Sequence, residues 1–219
     1  MTTAAAAGTT TTMSSASTTP NTTTTTTGTP DSATFDHPIL SQSTADVYDI
    51  FLDGARVPTG VGAWRSYGSV PHFAGPVWTI KCHEDNSRVR ECAASSGRGR
   101  VMVVDAGGSH RCAVLGDAIA RTARDNGWRG IVVYGCVRDV PVLRTLDGFG
   151  VVALGSTPRK STRRGEGQTN LTIQIGNVQV GTGDYVIADA DGILFLTQEQ
   201  VQQWSQGPSP LLEDRASGR

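Results

Sequence analysis

The stretch from Gly99 to Gly150 constrains the fold more than any other part of the chain, because its hydrophobic period changes twice within it. Val101 to Val104 is an unbroken apolar run. It ends at Asp105-Ala-Gly-Gly-Ser109, as a buried strand ends at a glycine turn. Leu115 to Asn126 has helical spacing, with Gly127 as its stop. Ile131 to Tyr134 is a second apolar run, followed by Gly135-Cys-Val-Arg138-Asp139. Strand, helix and strand in this order make a βαβ-like unit. In open α/β sheets, ligands gather beyond the carboxyl ends of strands and at helix N-termini. Both places carry charge here. Asp117 lies in the first helical turn, and Arg138-Asp139 lies just past the second strand, with twenty residues between Asp117 and Arg138.

The flanking sequence sets the domain limits. Fifteen of the first thirty residues are threonine, and none is charged. Such a segment cannot offset its ordering entropy by burial and is expected to be disordered. It lacks the arginines of a transit peptide and the basic start and apolar core of a signal peptide. Residues 31–42 read as a polar linker, 43–205 as one α/β domain and 206–219 as a polar tail. Ser43-Thr-Ala-Asp46 resembles a capping box before a helix that ends near Gly54. Val57 to Gly75 reads as loop. Pro76 to Cys82 reads as a strand with proline at its start, and Asn86 to Ser95 as a helix. A short helix is expected over Val140 to Leu146, with Asp139 as its N-cap. Val151 to Leu154 is a further strand. A hairpin turns at Gly176-Asn177, and Tyr185 to Ala188 pairs with Ile193 to Leu196. Gln198 to Trp204 closes the domain as a helix.

Composition excludes several classes. The net charge of −1 makes no electrostatic case for a dedicated nucleic-acid binder. No apolar run reaches the roughly 18 residues of a membrane span. No Gly-x-Gly-x-x-Gly joins a strand to a helix, so no dinucleotide cofactor is expected. Gly97-Arg-Gly-Arg100 lacks the lysine and hydroxyl of a P-loop and reads as a helix stop. Ser109-His110 has no Gly-x-Ser-x-Gly frame and reads as turn. The four cysteines, Cys82, Cys92, Cys112 and Cys136, form no C-x-x-C pair and read as free thiols in a reducing compartment. A zinc site on Cys82, His83 and Cys112 would have no standard spacing. Arg159, Lys160, Arg163 and Arg164 form a basic loop without interleaved aromatics, the pattern of a solvated surface rather than an RNA site.

Two carboxylates and an arginine at one mouth of a sheet suit a hard divalent cation with an anionic ligand. Each group also has an ordinary explanation: Asp117 as a dipole-favoured acid, Asp139 as a cap and Arg138 as their ion-pair partner. The backbone N–H groups of Gly116, Asp117, Ala118 and Ile119 lack intrahelical partners and would suit a substrate carboxylate. Gly116 leaves room for a close approach.

The spacing Asp117, twenty residues, Arg138-Asp139 resembles the metal motif of the RraA-like family. The resemblance continues through Gly155 to Gly167 and Gly183 to Gly192, and covers roughly Ser43 to Leu196. It implies a β/β/α swivelling-type α/β sandwich with a mixed sheet, assembled as a homotrimer or dimer of trimers in the cytoplasm. It implies a divalent-metal-dependent lyase: a 4-hydroxy-4-methyl-2-oxoglutarate aldolase with oxaloacetate decarboxylase activity, using magnesium, with manganese as the alternative. Arg138 and Asp117 are then catalytic, and Gly116, Asp117, Ala118, Ile119 and Arg138 contact substrate. Asp139 binds the metal directly, and Asp117 acts on it through a water. The family name also implies an alternative function, a non-catalytic regulator that binds a ribonuclease E-type RNA-degrading enzyme; the regulator-type members lack the acid at the position of Asp139. Some of the family's aldolases carry an acid where this chain has Val142, and others contribute a C-terminal glutamate from a neighbouring subunit; Glu199 and Glu213 are the glutamates near this end.

Overall fold

A computed structural model describes residues 37–59 and 64–204. The threonine-rich stretch and the tail over 206–219 lie outside the described residues, so the expectations for them go no further here. The chain forms α1 (Thr44–Phe51), β1 (Arg65–Ser66), β2 (Phe73–Lys81), α2 (Ser87–Ala93), β3 (Val101–Asp105), β4 (Ala113–Leu115), α3 (Asp117–Asp125) and β5 (Gly130–Val137). Then follow α4 (Val140–Leu143), β6 (Gly150–Ser156), β7 (Gln168–Thr169), β8 (Ile173–Ile175), β9 (Val178–Val180), β10 (Tyr185–Ala188), β11 (Ile193–Leu196) and α5 (Gln198–Trp204).

The main sheet has the order β1-β6-β5-β3-β2-β10-β11, with β4 added on β5 and β7 on β2. β2, β3, β5 and β6 are mutually parallel, while β1, β10 and β11 are antiparallel to their neighbours. The parallel strands follow one another in sequence order, so the sheet has no point where the winding reverses. Side chains alternate between its faces, as the pleat requires. Met102, Val104, Ile131 and Val133 pack with Val89 and Ala93 of α2 and Ile119, Ala120 and Ala123 of α3. Val101, Val103 and Val132 face the other way, onto Ile173, Ile175, Val178 and Val180 of the β8–β9 hairpin. Helices on one face and a hairpin on the other make the β/β/α sandwich with a mixed sheet.

Four readings of the sequence change. The linker expected over 31–42 is partly docked: Pro38–Ser41 is a 3-10 helix with Ile39 and Leu40 buried. Burying two such side chains contributes roughly 1.5–3 kcal/mol each, enough to hold a short segment. Pro76 is not at the start of its strand, because β2 begins at Phe73. Residues 73–76 pair with β10, and β3 joins only from Val77 onward. The missing donor therefore falls where the strand changes partners. The supposed loop from Val57 to Gly75 also holds β1. Finally, Leu115 is not helical. Ala113–Leu115 pairs with the end of β5 instead, and α3 starts at Asp117.

Candidate active site

The carboxyl ends of β4 and β5 set the site. Arg138 N donates to the Leu115 carbonyl at 2.9 Å, which carries the pairing one residue past β5. Gly116 and Arg138-Asp139 thus leave the sheet side by side. Asp139 has φ 60° and ψ 36°, a left-handed conformation that aspartate enters more readily than most residues. This turns the chain sharply from β5 into α4. Asp139 occupies the N-cap position of α4 as expected, but its carboxylate makes no bond to that helix. It reaches across to α3 instead. Oδ2 accepts from Asp117 N at 3.3 Å and from Arg138 Nε at 3.0 Å.

α3 uses this bond because its own N-cap, Gly116, has no side chain. Glycine stands there for space. Its backbone is extended, yet a Cβ would meet Asp139 Oδ2 at 2.7 Å and Arg138 Cγ at 3.2 Å. The room expected to serve a ligand is taken by the Arg138-Asp139 pair. Burial would raise the Asp139 carboxyl, but the bonds from Arg138 and Asp117 outweigh it and hold it below the usual carboxylate range. Asp139 is therefore ionised at neutral pH. Its Nε bond fixes Arg138 and leaves the terminal guanidinium nitrogens for another anion.

These groups open on a cleft of about 260 Å³ lined by Gly116, Asp117, Ala118, Ile119, Arg138 and Asp139. All the residues proposed from the sequence thus share one wall. Asp117 is 40% exposed, and its nearest cation is Arg121 Nε at 3.9 Å. The bland explanations are partly realised as well: Arg138 and Asp139 are an ion pair, and Asp117 sits in a first helical turn. The opposite wall was not foreseen. Asn86, Lys160, Ser161 and Arg163 line it, and the last three belong to the basic loop read as a solvated surface. The loop runs beside β4: Ala113 N donates to the Arg159 carbonyl at 2.8 Å, and Ser161 N to the Ala113 carbonyl at 3.2 Å. The dense basic charge between Gly155 and Gly167 was the available signal, but its pairing with β4 is non-local.

The donor set bears on a metal. Among the described residues, no three His, Cys, Asp or Glu side chains gather in one place. Asp117 and Asp139 face open space, and Oδ2 of Asp139 is already engaged. Such a pair fits a magnesium-type ion that completes its shell with water and substrate oxygens, rather than a closed zinc site. Val142 lies half-buried in α4, and Glu199 lies in α5; neither lines the cleft. Glu213 is outside the described residues.

Other candidates resolve differently. All four cysteines are free and buried. Burial, with Asp105 and Asp85 nearby, pushes the Cys82 thiol up to about 12, far from a reactive thiolate. Ser109 Oγ donates to Glu84 at 3.0 Å within its turn. Arg100 stacks on Trp78 and Trp128 at 4.6 and 4.9 Å, so the Gly97–Arg100 stretch is a packed turn. A larger cavity of about 490 Å³ adjoins Tyr48, Asp49, Trp64 and Asp191. It gathers acids without a cation and is remote in sequence from the charged motif.

Comparison with known proteins gives the family and the fold. The RraA-like family, described as aldolase/RraA, matches residues 44–195. A protein of Alkalilimnicola ehrlichii named "Putative 4-hydroxy-4-methyl-2-oxoglutarate aldolase" is 45% identical, over 74% of this chain and 99% of its own. A protein of the same name from Alcanivorax borkumensis is 48% identical, over 69% and 93%. The RNA-processing inhibitor RraA from Thermus thermophilis superposes with a TM-score of 0.66 at 39% identity, over 71% of this chain and 92% of its own. The chain belongs to the RraA-like family.

Proposed function

We propose that this protein is a carbon–carbon lyase that cleaves small 2-oxo acids to pyruvate, a 4-hydroxy-4-methyl-2-oxoglutarate aldolase and oxaloacetate decarboxylase. The observation that carries the reading is the convergence of Arg138, Asp139, Asp117 and the start of α3 on one cleft. The names of the relatives support the reaction class.

The substrate's 1-carboxylate meets the Ala118 and Ile119 N–H groups, which have no intrahelical partner by position. The Asp117 N–H is already held by Asp139. The terminal nitrogens of Arg138 face the 2-oxo oxygen. When the C3–C4 bond breaks, its electron pair moves into an enolate whose oxygen Arg138 stabilises. In the aldol cleavage, Asp117 takes the proton of the 4-hydroxyl through a water and returns it to C3, leaving two pyruvates. In the decarboxylation, carbon dioxide leaves and C3 takes a proton from solvent, passed in through the same water at Asp117. Asp139 and Asp117 would hold a divalent cation, magnesium in this reading, whose role when bound is to draw electron density from the 2-oxo group. In this reading the protein is a homotrimer.

The test is pyruvate release from oxaloacetate and from 4-hydroxy-4-methyl-2-oxoglutarate, with magnesium, with manganese and with chelator. Pyruvate above the uncatalysed background, lost on chelation, is expected; its absence would refute the reading. The second reading is a regulator that binds an RNA-degrading enzyme. It rests on the likeness to the RNA-processing inhibitor, and predicts binding without turnover.

A further inference from the structure

The wall opposite Arg138 carries polar groups to which the chemistry above assigns no role. Ser161 and Asn86 are each only 8% exposed. Ser161 Oγ and Asn86 Oδ1 are buried without a hydrogen-bond partner among the described residues. Buried polar atoms are nearly always satisfied, so two orphans on one cleft wall call for a ligand. Lys160 and Arg163 stand beside them and pair with no acid among the described residues. The wall is fixed in place. Asp85, fully buried, accepts from Thr162 Oγ1 at 3.0 Å, from Arg164 N, and from Ser87 N at 2.8 Å. Asn86 N donates to the Thr162 carbonyl at 3.1 Å.

We infer that Lys160, Ser161 and Arg163 bind a second carboxylate, at the far end of a dicarboxylic 2-oxo acid. This rests on the reading of the cleft as a 2-oxo-acid site. The Ser161 hydroxyl donates to that carboxylate, and the two cations supply its counter-charge. A volume of about 260 Å³ is at the small end for ligand sites and suits an acid of this size. The wall is therefore the specificity element, selecting two-headed acids over one-headed ones.

Calorimetric binding to the full chain in magnesium-containing buffer tests this with two acids that share the 2-oxo carboxylate end. 2-Oxoglutarate has a distal carboxylate and 2-oxobutanoate has none. The wild type is expected to bind 2-oxoglutarate at least tenfold more tightly. Lys160→Ala, Arg163→Ala and Ser161→Ala should each weaken 2-oxoglutarate about tenfold and leave 2-oxobutanoate within about twofold. Ser161→Ala should keep its melting temperature, because its hydroxyl has no partner to lose; a merely structural serine would lower it. If both acids bind and the variants leave their ratio unchanged, the inference fails and the parent reading stands. If the wild type binds neither acid, both fail together.

Discussion

Asp139 does two things with one carboxylate oxygen, closing the start of α3 and holding Arg138 by Nε, and it lines the cleft as well. Its substitution should therefore separate from that of its neighbour. Asp139→Ala is expected to abolish metal-dependent pyruvate release and weaken magnesium binding in a calorimetric titration. Arg138→Ala should keep magnesium affinity and lose about 10²–10³ in rate, roughly 3–4 kcal/mol, the usual cost of one oxyanion donor. Arg138→Lys should not restore the rate, because an ammonium cannot donate to Asp139 and to a substrate oxygen from one planar fork. Unchanged magnesium affinity in Asp139→Ala would remove the metal assignment. Gly116→Ala offers a steric check. The added methyl would displace Asp139 Oδ2, 2.7 Å from its position, so activity should fall while the fold survives with a small drop in melting temperature.

At the scale of elements, the clamp between the start of α2 and the basic loop is the feature most open to test. Burial raises the Asp85 carboxyl, but bonds from Ser87, Arg164 and Thr162 outweigh it and bring it down to about 2. Because the folded value lies below the ordinary value of about 3.9, the sign follows. The stability Asp85 contributes is complete above pH ~4 and is lost as pH falls toward about 2. Melting temperatures measured from pH 5 to pH 2.5 should fall in that window, with a shallower fall in Asp85→Asn. Asp85→Ala removes the bonds from Ser87, Thr162 and Arg164 and should cost about 1.5–3 kcal/mol at neutral pH; an unchanged melting temperature would show that the loop is not held there. This clamp also marks what local sequence could convey. Val101–Val104, Ile131–Tyr134 and the Gly176-Asn177 hairpin declare themselves by period and turn chemistry. So do Asp117 and Arg138-Asp139, because strand ends and helix starts can be read in one pass. The second wall could not be read this way, because Ser161 meets the cleft only through Ala113 and Asp85, far away in sequence. Leu115 looked helical because an apolar residue next to a helix start fits either period, and only β5 decides it.

At the scale of the whole molecule, the described residues leave the cleft open to solvent on one side. Arg138 and Asp139 are 35% and 29% exposed, and no third acid among the described residues joins Asp117 and Asp139. An active site usually excludes water to strengthen its electrostatics, and the homotrimer proposed above would supply a further wall. That proposal is open to a direct test. Light scattering at micromolar concentration should give three times the chain mass, or six times if two trimers stack. Specific activity should then fall on dilution below the dissociation constant of the assembly, while Asp139→Ala, whose defect lies within one chain, should assemble normally. A monomer that keeps full specific activity at every dilution would show that a single chain completes the site.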